Sequence, residues 1–110
     1  MLDTPAQEAP IRSTKTEQSG SWTFLSNHTH VLVCLSRDPG IRLRDIAHQV
    51  GITERATQRI VSELEDSGVL TRTRDGRRNR YQLHTGIHLR HPLQSHCTIG
   101  ELLRLFNSKY

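Results

Sequence analysis

Residues 43–70 read LRDIAHQVGITERATQRIVSELEDSGVL, and this stretch decides the fold. Its first part has apolar residues at helical spacing, namely Leu43, Ile46, Ala47 and Val50. Such spacing predicts a helix with one apolar face. Gly51 then ends the helix, because a left-handed backbone costs glycine least.

The second part of the stretch predicts another helix. Thr53 is a good N-cap, and Glu54 places a carboxylate at the positive end of the helix. We expect this helix to end at Gly68 and to bury one apolar face, formed by Ala56, Ile60, Val61 and Leu64. Two helices joined by a short turn that contains glycine predict a helix-turn-helix.

The outward face of the second helix carries polar and charged side chains. They are Glu54, Arg55, Gln58, Arg59 and Ser62, with Thr57 at the border. In the major groove of DNA, arginine can make a bidentate contact with guanine and glutamine with adenine. A helix fits that groove, and its first residues go deepest. The alternative is an ordinary solvated face of an amphipathic helix.

Residues 71–84, TRTRDGRRNRYQLH, predict a β-hairpin. We expect strands at 69–74 and 80–84 with Asp75-Gly76 as the turn, and Tyr81 and Leu83 packed on the helices. The hairpin sets five arginines against one acid: Arg72, Arg74, Arg77, Arg78 and Arg80 against Asp75. Such a cluster repels itself unless a polyanion faces it, and arginine suits phosphate oxygens and a narrow minor groove. The alternative is a solubilising loop.

A helix-turn-helix followed by an arginine-rich hairpin resembles the winged-helix regulators, specifically the MarR-like ones. The resemblance is carried by GITERATQRIVSELEDSGVL at 51–70 and RDGRRNRY at 74–81, and it extends more loosely from Trp22 to Phe106. It implies that the second helix lies in the major groove and that the hairpin, or wing, reaches the adjacent minor groove. In the wing it implicates Arg77 and Arg78, with Asp75 bracing an arginine.

The candidate DNA-binding residues combine the helix face, the wing and the start of the first helix of the motif. They are Arg42, Arg44, Thr53, Glu54, Arg55, Thr57, Gln58, Arg59, Arg74, Arg77, Arg78 and Arg80. Arg42 and Arg44 depart from many relatives, which have Ser or Thr capping that helix. Two arginines there oppose the helix dipole, and contacts with phosphate would explain why they are tolerated.

Length and charge fit one small domain with a polyanionic partner. The chain has 110 residues, a formal net charge of +4 and a sequence pI near 9.7. Of its 15 basic residues 13 are arginine, which favours bidentate contacts with phosphates or bases. Aromatic residues make up 5%, too few for a platform that stacks single-stranded bases. No membrane span, secretory signal or disulfide framework is evident, so we expect a cytoplasmic protein.

The resulting fold class is mainly α with a small β-hairpin, a winged helix-turn-helix with an extra C-terminal dimerisation helix. We expect a flexible arm at 1–21, the DNA-binding domain at 22–84, and a linker with the last helix at 85–110. In the DNA-binding domain, Ser26 or Asn27 can cap a helix that runs to about Ser36, and residues 41–43 could add an edge strand to the wing.

The C-terminal helix should open with a capping box formed by Thr98 and Glu101. It is apolar around much of its circumference, so we expect it to pack both on the first helix and on a second copy of the chain. The candidate dimer-interface residues are Trp22, Phe24, Ile99, Leu102, Leu103, Leu105 and Phe106. The alternative is that this helix only closes the core of the monomer.

Four histidines and a cysteine cluster before the last helix: His84, His88, His91, His96 and Cys97. Imidazole and thiolate can bind zinc, copper or nickel. Their spacing matches no closed zinc signature, however, so surface and linker histidines are the default interpretation and no cofactor is predicted. Cys97 fits a hydrophobic staple against Leu102 or, alternatively, a redox-active thiol.

The leading hypothesis is a sequence-specific regulator that binds double-stranded DNA as a homodimer through helix 53–67 and wing 72–80. No nucleophile–base pair, phosphate loop or metal-hydrolase motif is present in the sequence, so we expect no enzyme activity. The alternatives are a winged-helix module that binds protein and a regulator that senses metal or thiol oxidation. The sequence names no small-molecule effector and no target gene.

Overall fold

The computed structural model describes residues 22–107, so the predicted arm at 1–21 lies outside the described residues. The elements are α1 (Asn27–Arg37), α2 (Leu43–Val50), α3 (Glu54–Asp66), β1 (Leu70–Asp75), β2 (Arg78–Leu83) and α4 (Ile99–Asn107). Four helices and one antiparallel hairpin confirm the predicted fold class. In this part of the chain no helix is long and apolar enough to cross a membrane.

The starts and ends of the helices follow from local chemistry. The hydroxyl oxygens of Ser26 and Thr53 accept hydrogen bonds from the backbone N–H groups of Thr29 and Ala56 at 3.4 and 3.0 Å, so they cap α1 and α3. Gly51 ends α2 with φ +86°, a conformation that strains any residue with a Cβ. The tight turn between α2 and α3 therefore depends on glycine, as the sequence predicts.

The hairpin differs from the prediction in register. Asp75 pairs with Arg78, so the loop consists of Gly76 and Arg77 rather than Asp75-Gly76. Both strands therefore run closer to the tip than expected. Gly76 supplies the positive φ, +66°, that this two-residue loop requires.

The predicted edge strand at 41–43 is wrong, because the sheet within residues 22–107 has two strands. Arg42 already occupies the N-cap position of α2, which begins at Leu43, so too little extended chain is left for a ladder. The preceding turn contacts the wing instead. The backbone N–H of Tyr81 donates to Pro39 O at 3.0 Å, and the guanidinium of Arg78 donates to Gly40 O at 2.9 Å.

One apolar core joins the helices to the wing. Its most deeply buried members come from the first three helices and β1: Val31, Leu35, Ile46, Val61 and Leu70. Tyr81 anchors β2 in this core, and Leu83 packs against it, as expected from their shared face. The wing is therefore fixed to the helices by apolar packing at its base, and its tip extends away from the core.

The C-terminal helix opens with the predicted capping box. The carboxylate of Glu101 accepts a hydrogen bond from Thr98 N–H at 2.9 Å, and Glu101 N–H donates to Thr98 Oγ1 at 3.2 Å. The bond from Thr98 N–H is the main reason that the pKa of Glu101 lies below its usual value. The helix packs on α1, as predicted.

Residues 85–97 connect the wing to α4 and partly pair with its start. Leu89 N–H donates to Cys97 O at 2.9 Å, and Ile99 N–H donates to Ile87 O at 2.8 Å. Gly100 also lies close to this connection, since a Cβ there would meet Thr85 Cβ at 3.0 Å. The connection therefore holds the first turn of α4 in place.

Candidate nucleic-acid interface

The exposed face of α3 carries the side chains that the sequence predicts. Arg55, Gln58 and Arg59 are all exposed, and Glu54 lies beside them in the first turn. Within residues 22–107, the side chains of Arg55 and Gln58 have no hydrogen-bond or ion-pair partner. Opposite them, Ile60, Val61 and Leu64 fix the helix in the core. The helix is thus a rigid support for unengaged donors and acceptors.

Thr57 does not lie on the exposed face of α3, contrary to the prediction. It was expected at the border and among the DNA-binding residues, but it is fully buried, with 0% of its surface exposed. Its hydroxyl donates to Thr53 O at 3.0 Å, within its own helix. A helical projection places residue 57 near the border and cannot show which neighbouring elements cover it. Thr57 therefore cannot contact nucleic acid and is a core residue. Thr53 itself is exposed, but its hydroxyl is used by the cap.

The wing arginines have different surroundings from one another. Arg72 donates to Glu65 of α3 at 2.8 Å, Arg74 donates to Gly76 O at 3.3 Å, and Arg78 is bonded to Gly40 O. Arg77 occupies the exposed loop and has no hydrogen-bond or ion-pair partner in the described chain. Arg80 is exposed near Gly40. Three of the five wing guanidinium groups are therefore held, and those of Arg77 and Arg80 have no hydrogen-bond or ion-pair partner within residues 22–107.

The predicted role of Asp75 as a brace for an arginine is not found. Among residues 22–107, the ion pairs within 4.0 Å involve Glu63 and Glu65, both on α3. The acid that holds a wing arginine is therefore Glu65, which pairs with Arg72. Sequence reasoning missed this pair, because the two residues lie on different elements, seven positions apart.

Arg42 and Arg44 are both exposed at the start of α2, as predicted. Arg42 occupies the N-cap position but makes no side-chain capping hydrogen bond. Asp45 follows in the first turn and offsets the unfavourable charge of the two arginines on the helix dipole. Their guanidinium groups remain available to an anion.

Glu63 is a further charged residue that sequence reasoning did not assign to the site. Its Oε1 lies 2.7 Å from His28 Nε2 on α1, and its Oε2 lies 3.5 Å from Nη1 of Arg59. The hydrogen bond with His28 is the main cause of a pKa for Glu63 below its usual value, and the charge of Arg59 also lowers it. The i,i+4 spacing of Arg59 and Glu63 is a signal that could have identified this pair. The contact with His28 has no such local signal.

The apolar dimer candidates divide into three groups by their exposure. Ile99 and Leu103 are buried within their own chain, so their predicted place in a dimer interface is wrong. Both residues lie on the side of α4 that packs on α1, and both belong to the apolar core. Leu102 and Phe106 are partly covered. Trp22, Phe24 and Leu105 are 76%, 92% and 67% exposed, and the rings of Trp22 and Phe24 meet edge to face at 4.9 Å.

Three of the four histidines before α4, namely His84, His88 and His91, have hydrogen-bond partners in the described chain. His84 Nε2 lies 2.6 Å from Thr71 Oγ1, and His88 Nδ1 lies 2.8 Å from Ser95 O. Over the described residues, no group of three or more His, Cys, Asp or Glu side chains is placed to hold a metal ion. Of the two cysteines, Cys34 is buried next to Gln49, and this burial raises the pKa of its thiol.

Comparisons with known proteins bear on this architecture. No curated protein matches the chain. Among solved structures it is similar to the PcaV transcriptional regulator from Streptomyces coelicolor, solved in complex with its natural ligand. The two are 24% identical, the alignment covers 74% of this chain and 60% of that chain, and the TM-score is 0.49. A family model described as winged helix-turn-helix DNA-binding matches residues 26–71. This match and the arrangement of α1, α2, α3 and the hairpin confirm the predicted fold: the chain carries a winged helix-turn-helix.

Proposed function

We propose that this chain is a MarR-like transcriptional regulator that binds double-stranded DNA sequence-specifically as a homodimer and has no enzyme activity. One observation carries the proposal: Arg55, Gln58 and Arg59 stand exposed on a helix that the core holds rigidly. These are residue types that recognise guanine and adenine in the major groove. The neighbouring wing adds arginines that suit phosphates or the minor groove.

The proposed docking gives each group of residues a separate task. Recognition helix α3 enters the major groove, where Arg55, Gln58 and Arg59 discriminate between bases. Arg42, Arg44 and the wing contact phosphates and supply affinity that depends on salt. Thr53 and Glu54 lie at the start of the helix, which enters the groove most deeply, and Thr57 has no direct part in binding.

The proposed homodimer is supported by the exposed apolar side chains near both ends of the described chain. Trp22, Phe24 and Leu105 are large, and their exposure to water is unfavourable for a monomer. A second copy of the chain would cover them. Two recognition helices about 34 Å apart would then match two half-sites of a pseudo-palindromic sequence.

Selection of duplexes from a randomised library, followed by mobility-shift titration, tests sequence-specific binding. We expect an enriched motif, tighter binding to it than to random duplex, and loss of one position of the motif in R55A. A matched control is the exposed Gln94→Ala in the connection before α4, which should leave the motif and the affinity unchanged. Equal binding of all duplexes, or an R55A variant identical to the wild type, would contradict the proposed docking.

Sedimentation velocity at micromolar concentration tests the homodimer. We expect the wild type to sediment as a dimer and the double variant F24S/L105S to sediment as a monomer that keeps its helical circular-dichroism spectrum. Leu93→Ser is the control, because Leu93 is 78% exposed but lies in the connection before α4. A wild-type monomer under these conditions would refute the dimer.

A further inference from the structure

The carboxylate of Glu63 is shared between two side chains, His28 on α1 and Arg59 on α3. One oxygen is bonded to His28 of α1 at 2.7 Å, and the other lies 3.5 Å from Arg59, one turn earlier on α3. All three side chains remain partly exposed, so each can rearrange without disturbing the core. Glu63 therefore connects α1 with a side chain on the recognition face.

This contact restrains the guanidinium of Arg59 before any DNA is bound. A free arginine side chain has many rotamers, and ordering it in a complex costs conformational entropy. Bidentate recognition of guanine also requires the planar guanidinium to have one orientation. A carboxylate four residues further along the helix limits the side chain to rotamers that lie along the surface of α3. Glu63 can thus improve discrimination by Arg59 without touching DNA.

His28 contacts the other oxygen of the same carboxylate, and histidine is the residue type whose charge commonly changes between about pH 5 and 8. When the imidazole is protonated, its attraction for Glu63 is stronger than when it is neutral. His28 lines a cleft of about 730 Å³ between the N-terminal end of α1, the C-terminal end of α3 and the connection before α4. The charged or titratable groups that line this cleft with it are Glu63, Asp66, His88, Arg90 and His91. On α1 itself, the ring of His30 is bonded to Asn27.

We infer that Glu63 is a positioning residue for Arg59, and that protonation of His28 draws the Glu63 carboxylate away from Arg59 and weakens discrimination at the base pair that Arg59 contacts. The inference rests on the proposed function, because it assumes that α3 reads DNA. It adds a regulatory input to that function: the sequence preference of the protein falls as the pH falls through the range in which histidine titrates.

The test measures a ratio of affinities with the full chain. One duplex is the selected sequence, and the other differs at the base pair where R59A loses discrimination. For the wild type we expect the ratio to be about two- to fivefold larger at about pH 8 than at about pH 6, the range given by one exposed ion pair. H28Q should keep the high ratio at both pH values. E63Q should have the low ratio at both, even if removal of a negative charge tightens its binding to all duplexes.

Asp66→Asn is the matched control, because it removes the same charge from the same helix. Asp66 lines the cleft but forms no ion pair within residues 22–107. D66N should keep both the wild-type ratio and its pH dependence. A wild-type ratio in E63Q, or a wild-type pH dependence in H28Q, would overturn the inference while leaving the proposed function standing.

A measurement without DNA separates the inference from the proposed function. The ¹⁵N–¹H resonance of Arg59 Nε should shift with pH in the wild type and lose most of that shift in H28Q and in E63Q. If no duplex is bound specifically, the proposed function fails, and this resonance still decides whether Glu63 restrains Arg59. An Arg59 resonance that is unaffected by E63Q would overturn the inference by itself.

Discussion

The recognition helix and the wing present arginines in two different ways. On α3, Arg55 is exposed and has no partner in the described part of the chain, while the opposite face of the helix is buried. In the wing, three of the five arginines are held, two by backbone carbonyls and one by Glu65. Free donors on a rigid helix suit base recognition, whereas guanidinium groups that are already held suit a fixed positive charge. This difference supports the proposal that the helix provides specificity and that the wing mainly adds affinity.

The largest expected effect concerns the base of the wing. Tyr81→Ala should lower the free energy of unfolding by about 3 kcal/mol, because it removes a large buried ring from the core that joins β2 to the helices. Urea denaturation followed by circular dichroism measures this change. Gln82→Ala is the control, since Gln82 is exposed on the other face of β2. Equal stability of the two variants would show that the wing is not anchored through Tyr81.

The next effect concerns base recognition by the helix. Arg55→Ala should cost about 1–3 kcal/mol of binding free energy on the selected duplex and relax the preference at one position. Its effect on random duplex should be much smaller, because a base contact contributes little to binding of non-cognate sequence. Mobility-shift titrations on both duplexes measure the two losses. Equal losses on both duplexes would assign Arg55 to phosphate and remove the proposed difference between helix and wing.

Local contacts explain most of what the sequence could predict. The caps at Ser26, Thr53 and Thr98 each join residues three positions apart, so residue type and spacing are sufficient to identify them. The role of Gly51 can be identified in the same way, because a short turn between two apolar helical patterns calls for a residue with positive φ. The winged helix-turn-helix and the exposed arginines of α3 follow from these signals together.

Contacts between distant parts of the chain explain what the sequence could not predict. His28 and Glu63 are 35 residues apart, and no pattern in either segment indicates that they meet. Thr57 was placed on the binding face because helical spacing alone puts it at a border, while burial depends on the elements packed beside it. The turn of the hairpin lies one residue later than predicted, because Asp75-Gly76 and Gly76-Arg77 both offer a glycine for the turn.

A smaller effect concerns the tip of the wing. Arg77→Ala should weaken binding to selected and random duplexes by the same factor and reduce the slope of log affinity against log salt by about one. Arg77 is suited to this test because no contact within residues 22–107 holds its side chain. Arg78→Ala is an informative companion, because it also removes one of the two hydrogen bonds that join the wing to the preceding turn. A loss confined to the selected duplex in R77A would show that the wing also reads sequence.

The smallest expected effect concerns the acid on the recognition helix and the pH dependence of stability. The hydrogen bond with His28 lowers the pKa of Glu63, so ionised Glu63 stabilises the folded state above the usual value near 4.5, and this stabilisation is lost as the pH falls through the lowered pKa. Glu63→Gln should therefore lose less stability than the wild type between about pH 7 and about pH 3 in urea denaturation. Asp66→Asn should resemble the wild type, because Asp66 forms no ion pair in the described chain. If both variants flattened the acid side of the stability curve equally, general charge on α3 would be the cause. The contact between α1 and α3 would then add nothing to folding. The apolar core alone would hold α3 in place.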